Sequence, residues 1–384
     1  MSSTYGDEIR GKRMVFETEV HTCVSFYLLF HTFSHIQLRL GLTGSSNVQG
    51  EDVKKLDVLA NDIFKNALVA SGKCCFLVSE EDERVMVIED PSFRGKYIVT
   101  FDPLDGSSNI DCGVSIGTIF GIFKVHDDHA PGSKDIIRSG RDLVAAGYCM
   151  YGSYVELIVS VGTGLHGFTL DPAIGEFILT HPSVPMMSFY LLCIFFPKLA
   201  HSTKQIRIPS RGKIYSINEG NYKYFDEPTK KYVDSVKTKY SARYVGSMVA
   251  DVHRTVLYGE MIVFYTTVDV KTFLEHGLGQ AVDNFHESLM IFICIFGYPA
   301  DSKVILSTTF VDIVPYLFPR SKNGKLRILY EVFPMAYLVE QAGGRASTGK
   351  QDALDITPRH IHDRSGVWLG SADDVADLEA FYRA

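Results

Sequence analysis

The sequence has few of the features that would place it in a special class. Its 384 residues include seven cysteines, Cys23, Cys74, Cys75, Cys112, Cys149, Cys193 and Cys294, and none forms a C-x-x-C pair. An odd, scattered set argues against a disulfide framework, a zinc knuckle and a secreted life. Positive charge is not in excess: 38 Lys+Arg against 45 Asp+Glu leave a net charge of -7 and a pI near 6.0. With no chain-wide basic field, neither nucleic acid nor anionic lipid is an expected partner, and a polyanionic ligand has to be met by a local site or by metal ions. Residues 1–10 contain no apolar signal core. The longest run free of charged residues and histidine, 182–197, is shorter than the ~20 residues a membrane-spanning helix needs. The expectation is a cytoplasmic protein without a membrane span. Internal repeats and low-complexity tracts are also lacking.

What is present is an ordinary globular balance, 46% hydrophobic and 22% charged. The length suits two or three domains or one large α/β unit. Residues 51–72 read as an amphipathic helix with Val53, Leu56, Ala60, Ile63, Phe64 and Ala67 on one stripe and Gly72 as a stop. Asp57 interrupts that stripe, so its carboxylate points toward the packed side unless it merely marks the edge of the apolar arc. Strands are predicted at 75–78, 85–88, 97–101, 116–123, 143–150 and 167–170, and helices at 247–258 and 334–342. This alternation favours α/β or α+β layers.

Two predicted strands run into acids: 75–78 into Ser79-Glu80-Glu81-Asp82-Glu83, and 97–101 into Asp102-Pro103-Leu104-Asp105-Gly106-Ser107-Ser108. Ligand sites in α/β sheets form where strands end, so both could aim at one point. Pro103 fixes its own φ, and a tight turn there would let Asp102 and Asp105 face one point with the Leu104 carbonyl exposed beside them. Gly106-Ser107-Ser108 adds open backbone N–H groups and hydroxyls for a phosphate oxygen. Plainer readings stay open at this stage. An ordinary polar turn fits 102–106, a solvated charge run fits 80–83, and Glu331 before the 334–342 helix fits a partner for the helix dipole.

The string Asp102-Pro103-Leu104-Asp105-Gly106-Ser107-Ser108-Asn109-Ile110-Asp111 closely resembles class I fructose-1,6-bisphosphatases. Lys54-Lys55-Leu56-Asp57, Val78-Ser79-Glu80-Glu81-Asp82, Arg94-Gly95-Lys96-Tyr97, Ser216-Ile217-Asn218-Glu219-Gly220, Arg243-Tyr244-Val245-Gly246-Ser247-Met248 and Asn323-Gly324-Lys325-Leu326-Arg327 agree in the same order. The likeness runs from about residue 40 to the C-terminus. Related inositol monophosphatases share the D-P-x-D-G core but lack the Asn218 and Arg243 strings.

The resemblance implies an α/β fold of the layered α/β/α/β/α sugar-phosphatase type with two mixed-sheet subdomains, usually a homotetramer. An N-terminal regulatory and metal-binding domain would span 1–210 and a C-terminal substrate-binding domain 211–384. The implied reaction is hydrolysis of the 1-phosphate of fructose 1,6-bisphosphate in gluconeogenesis, with two or three Mg²⁺ ions and Mn²⁺ as a substitute. By the same resemblance Glu80, Glu81, Asp102, the Leu104 carbonyl, Asp105 and Glu331 look like metal ligands, and Asp57 and Glu81 like the pair that activates water. Gly106 and Ser107 look like 1-phosphate contacts. Asn218, Arg243, Tyr244, Met248, Tyr298 and Lys325 look like holders of the sugar and its 6-phosphate, Arg243 reaching in from a neighbouring subunit. Lys96 and Tyr97 match half of the family's AMP site. The donor chemistry agrees, because an all-oxygen set without His or Cys favours Mg²⁺ or Mn²⁺ over Zn²⁺. The alternatives are a sedoheptulose-1,7-bisphosphatase and a catalytically impaired scaffold.

Three stretches depart from the family pattern: 185–206, 260–294 and 304–320. They are rich in Phe, Ile, Leu and Tyr, unlike the polar, Gly/Pro-rich loops that chains tolerate as insertions. The N-terminal 14–40 also lacks a clean equivalent of the AMP-binding helix; its His21, His31 and His35 read as incidental rather than metal ligands. The three inserts read as translated intron or gene-model artefacts. On that reading, mass spectrometry of the native protein recovers no peptide across 186–196, and recovery of one rejects it.

Overall fold

The computed structural model describes residues 42–46, 52–125, 132, 135–183, 205–258, 261–264 and 326–384. Strands β1 (Leu42–Ser46) and β2 (Asp52–Lys54) pair antiparallel and lead into helix α1 (Lys55–Ala70). The helix starts at Lys55 rather than at 51, because the residues before it are taken up by that pairing.

Eight strands follow: β3 (Cys74–Ser79), β4 (Met86–Val87), β5 (Tyr97–Asp105), β6 (Ile116–Lys124), β7 (Leu143–Tyr151), β8 (Val155–Ser160), β9 (His166–Asp171) and β10 (Glu176–His181). They form one sheet in the order β10-β9-β8-β7-β6-β5-β3-β4. From β5 to β10 each strand pairs antiparallel with its successor, as short connections allow, while β3 and β5 run parallel.

The second half contributes β11 (Ile214–Ser216), α2 (Glu227–Lys237), β12 (Ser241–Ala242), α3 (Met248–Tyr258), β13 (Met261–Phe264), β14 (Leu326–Arg327), α4 (Phe333–Gln341), β15 (Arg345–Ser347), β16 (Arg364–Ser365), β17 (Val367–Gly370) and α5 (Ala372–Arg383). A five-stranded mixed sheet has the order β12-β11-β13-β17-β15.

Alternation along the strands stacks these parts into layers. Val99 and Phe101 of β5 and Cys149 of β7 pack with Phe64 and Leu68 of α1 on the outer face of the large sheet. Their neighbours Ile98, Tyr148 and Met150 point the other way, into a core shared with Val249 and Val252 of α3 and with Phe333 to Val339 of α4. Val367 and Leu369 of β17 close that core from the second sheet, while Trp368 between them faces outward onto Tyr232 and Val233 of α2 and Val375 and Leu378 of α5. The layers therefore run helix, sheet, helices, sheet, helices, the α/β/α/β/α order that the resemblance implied. His253 of α3 pins the middle layer to the large sheet: its Nδ1 lies 3.0 Å from the Tyr148 hydroxyl.

The stretch 260–294, expected as an atypical insert, opens with β13, which pairs parallel with β11 and antiparallel with β17. Its first residues belong to the second sheet. Residues 265–294, the 304–320 stretch, most of 185–206 and the histidines of 14–40 lie outside the described residues.

Candidate active site

The acids of the first half gather where β3 and β5 end. These strands run parallel, and the Glu80 N–H donates to the Phe101 carbonyl (3.1 Å), which sets Glu80 beside Asp102. The structure corrects the expected tight turn at 102–105: β5 continues through Asp105. Asp102 pairs with Ile119 and Asp105 with Gly117, three steps on one strand against two on the other, which is a bulge. In a regular strand positions three apart face opposite ways; the extra residue brings both carboxylates to one side. Pro103 occupies the bulge, where its missing N–H leaves no ladder bond unmade, and its carbonyl accepts from Thr118 Oγ1 (2.9 Å). Leu104 is buried there, its N–H donating to Asp102 Oδ1 (2.8 Å).

The acid from the second half arrives on a π-turn, Ile328–Val332, directly before α4. Such turns insert an extra residue into a helical stretch and recur at functional sites. The Leu329 carbonyl accepts from Thr100 Oγ1 (2.8 Å), fastening the turn to β5. Glu331 is thereby buried rather than placed as an exposed partner of the α4 dipole, and its carboxylate accepts from the Arg327 N–H.

One oxygen from each of Asp102, Asp105 and Glu331 lies within 4.8 Å of the others. Burial first, then Glu80, Asp105 and Glu331, hold the Asp102 carboxyl well above the usual carboxylate range. Glu331 is pushed up to about 8 by burial and then by Glu80, with Arg327 opposing. The Arg327 guanidinium, itself buried, lies 3.4 Å from Glu80 Oε1. Four acids thus share one point, and their repulsion, burial and all-oxygen character fit a hard divalent cation.

Asp57 is 3% exposed on α1, one turn before Asn61, whose Nδ2 donates to Asp82 Oδ1 (3.0 Å). Its carboxylate therefore leaves α1 on the side facing the 80–82 loop. Glu81 is half-buried in that loop, its N–H donating to Ser79 Oγ (3.3 Å).

Gly106 follows the bulge with φ 78°, a left-handed conformation that glycine adopts freely, and opens the 3₁₀ turn Ser107–Cys112. A Cβ there would stand 3.2 Å from Ser247 Oγ, a buried hydroxyl with no hydrogen-bond partner among the described residues. The amino end of α3 meets the same place, the Val249 N–H donating to Asp105 Oδ2 (3.0 Å). Helix dipole, glycine N–H and hydroxyls together can take a phosphate.

The expected sugar-binding residues are placed unevenly. Asn218 is exposed after β11 and caps the turn Glu219–Tyr224 through the Gly220 N–H. Arg243 and Tyr244 are exposed before α3, Arg243 Nη1 donating to the Ala242 carbonyl (2.8 Å). The Met248 side chain is buried in the core, so only its backbone could meet a ligand. Tyr298 and Lys325 lie outside the described residues. Lys96 and Tyr97 sit at the far end of β5, about 25 Å from Asp105 at ~3.3 Å per residue.

Sequence reasoning missed three neighbours of the site: Ser247, Arg327 and Asp251. Asp251, fully buried in α3, accepts from Ser216 Oγ (3.1 Å), the Val245 and Gly246 N–H groups (3.1 and 3.0 Å) and Arg254 Nη2 (2.8 Å), fixing the 243–246 segment. The signal available was a carboxylate in a helix whose apolar residues Met248, Val249, Val252 and Val256 mark that part of it as packed.

Comparison with known proteins gives the same direction. The model of the fructose-1-6-bisphosphatase N-terminal domain matches residues 29–182, and that of the C-terminal domain matches 208–276 and 311–383. The chain belongs to the fructose-1,6-bisphosphatase family. Cytosolic fructose-1,6-bisphosphatase of Spinacia oleracea is 50% identical over 351 residues, covering 90% of this chain and 81% of that protein. The Arabidopsis thaliana protein of the same name is 50% identical over 349 residues, 89% and 81% of the two chains. The crystal structure of Leishmania major fructose-1,6-bisphosphatase in holo form superposes with a TM-score of 0.69 at 34% identity, covering 96% of this chain and 93% of that one. The family match passes over 183–207 and 277–310, so it includes β13.

The raised carboxyl of Glu331 has a measurable consequence. A group whose folded pKa stands near 8 is largely protonated at pH 7, and a cation entering the cluster must expel that proton. Calorimetric titration with Mg²⁺ in buffers of different ionisation enthalpy is expected to show proton release at pH 7 that shrinks as pH rises through about 8. Binding without proton release would contradict the raised carboxyl.

Proposed function

We propose that the chain hydrolyses the 1-phosphate of fructose 1,6-bisphosphate, giving fructose 6-phosphate and phosphate, in the cytosol and in the service of gluconeogenesis. The observation that carries this is the meeting of Glu80, Asp102, Asp105 and Glu331 beside Gly106 and the amino end of α3. Membership of the family supports it, as does the cytosolic name of the relatives. The same names do not favour the seven-carbon sedoheptulose bisphosphate. Among the described residues no helix is long and apolar enough to cross a membrane.

In this reading Glu80, Glu81, Asp102, the Leu104 carbonyl, Asp105 and Glu331 hold two or three Mg²⁺ ions, with Mn²⁺ as a substitute. When bound, the ions neutralise the phosphate oxygens and acidify the attacking water. Gly106 N–H, the Ser107 hydroxyl and the helix dipole of α3 hold the 1-phosphate in line. One carboxylate of the Asp57 and Glu81 pair takes the proton of the water as its oxygen bonds to phosphorus; the bond from phosphorus to the sugar oxygen breaks, its electron pair stays on that oxygen, and a proton from solvent water restores the sugar hydroxyl. Asn218, Tyr244, Tyr298, Lys325 and the Met248 backbone hold the sugar and its 6-phosphate, and Arg243 reaches in from a neighbouring copy of a homotetramer. A guanidinium can grip that phosphate with two hydrogen bonds. Residues 1–210 form the metal-binding and regulatory half and 211–384 the substrate-binding half; Lys96 and Tyr97 match half of the family's AMP site, and 14–40 offers no clean equivalent of the other half.

Asp102→Ala is expected to abolish Mg²⁺-dependent phosphate release with the far-ultraviolet circular dichroism unchanged; retained turnover removes Asp102 from the site. Arg243→Ala is expected to raise KM for the bisphosphate more than it lowers kcat in steady-state assays. An unchanged KM means Arg243 does not hold substrate.

A further inference from the structure

His362 touches both halves of the chain at the carboxylate cluster without being an acid or, in the reading above, a ligand. It lies in the turn before β16. The Asp363 carboxylate accepts there from the Arg359 and His360 N–H groups (2.6 and 3.0 Å), and the Asp363 carbonyl accepts from the Ile328 N–H (2.8 Å). The turn is thus fastened to the first residue of the π-turn that carries Glu331.

Its two ring nitrogens are both engaged. Nε2 stands 3.1 Å from the Asp82 carbonyl, and a carbonyl oxygen only accepts, so Nε2 carries the hydrogen. Nδ1 of the neutral ring is then an acceptor, and the Tyr330 hydroxyl donates to it over 2.8 Å. Burial lowers the pKa of the imidazole and raises that of the phenol, which favours this pair of states.

Each partner adjoins an acid of the cluster. Asp82 follows Glu80 and Glu81; Tyr330, fully buried, precedes Glu331. On its other side Asp82 is gripped by α1: Asn61 Nδ2 donates to Oδ1 (3.0 Å) and Lys65 Nζ to both carboxylate oxygens (3.1 Å each). Ser79 Oγ donates in turn to Asn61 Oδ1 (2.8 Å). A hydrogen-bonded chain therefore runs from α1, which bears Asp57, through the 80–82 loop and His362 to the π-turn.

We propose that His362 is a positioning residue for the cation site, its two-sided hydrogen bond setting the distance between Glu80 and Glu81 of the first half and Glu331 of the second. This rests on reading the acids as holders of a divalent cation. His362 touches neither cation nor substrate. It acts through Asp82 and Tyr330, because acids 250 residues apart in sequence keep a fixed spacing only if their backbones are tied.

The test measures Mn²⁺ binding by the full chain, without substrate, from the electron paramagnetic resonance signal of free Mn²⁺. His362→Phe keeps a ring and loses both hydrogen bonds; it is expected to weaken Mn²⁺ binding roughly 10- to 100-fold. Tyr330→Phe, which deletes one oxygen, is expected to weaken it less, and the two together less than additively. His362→Gln, with one N–H for the Asp82 carbonyl and one oxygen for the Tyr330 hydroxyl, is expected to restore most of the affinity. If the parent chain binds no Mn²⁺, the cation reading falls and the proposal with it. If the parent binds Mn²⁺ while both Phe variants, natively folded by circular dichroism, stay within about twofold of it, the positioning role alone is overturned. A lower melting temperature with unchanged affinity counts the same way, and should His362→Phe fail to fold, Tyr330→Phe decides by itself.

Discussion

Four carboxylates forced into one buried place are the constraint around which the rest of this molecule is arranged. Two unit charges about 4 Å apart at an effective dielectric of about 20 repel by about 4 kcal/mol, so every pair in the cluster opposes the fold. The protein answers in part with donors of its own. Backbone N–H groups of Leu104, Val249 and Arg327 each give a hydrogen bond to one acid, and the Arg327 guanidinium lies against another. Those contacts leave Asp102 and Glu331 still shifted toward the neutral form. Native interactions that raise carboxyl pKa values cost stability as pH rises from the ordinary carboxylate range toward the shifted one, since the folded chain then binds more protons than the unfolded. The cluster is a strained arrangement, and on the proposed reading a cation entering it would relieve the strain and draw its affinity from that relief.

The layers explain how acids so distant in sequence meet. β3 and β5 run parallel, so their carboxyl ends lie side by side, and the middle helical layer delivers α3 and the π-turn to the same edge. Each local irregularity there has one effect. The β5 bulge turns Asp102 and Asp105 to one side; the π-turn rotates Glu331 inward; the left-handed Gly106 clears space beside Ser247. Regular elements would have spread these groups over both faces of a sheet and around a helix.

Much of the fold was legible because it rests on periodicity. The α1 stripe, the strand cores and the helices predicted at 247–258 and 334–342 follow from apolar spacing, and Asp57 is buried, the first of the two places its position on the α1 stripe left open. The site was legible as a set of acids but not as a geometry. A bulge and a tight turn have the same composition, Asp-Pro-x-Asp-Gly, and only pairing with β6 distinguishes them. The π-turn leaves no mark in residue spacing, and Arg327 looked like an ordinary link in a string. Nor did composition show that Met261–Phe264 would pair as a strand, because an apolar run reads alike as a misplaced segment and as the centre of a mixed sheet.

The division of the acids between the two halves has a further consequence for folding. Glu80, Asp102 and Asp105 come from one stretch of chain, Glu331 from another more than 200 residues later, so the cluster closes only when both sheets have docked on the middle layer. Docking buries apolar residues of both sheets, among them Ile98, Tyr148, Val367 and Leu369, against α3 and α4. The hydrophobic term is thus what holds the like charges together, at roughly 25 cal/mol for each Å² of apolar surface removed from water. Thr100 to Leu329 and Asp82 through His362 to Tyr330 add direction to that non-directional force, since they fix which atoms of the two halves meet. Lengthening the chain between them adds closure entropy only logarithmically. Tolerance of residues 265–325 between β13 and β14 therefore turns on whether they leave the docked face uncovered, more than on how many they are.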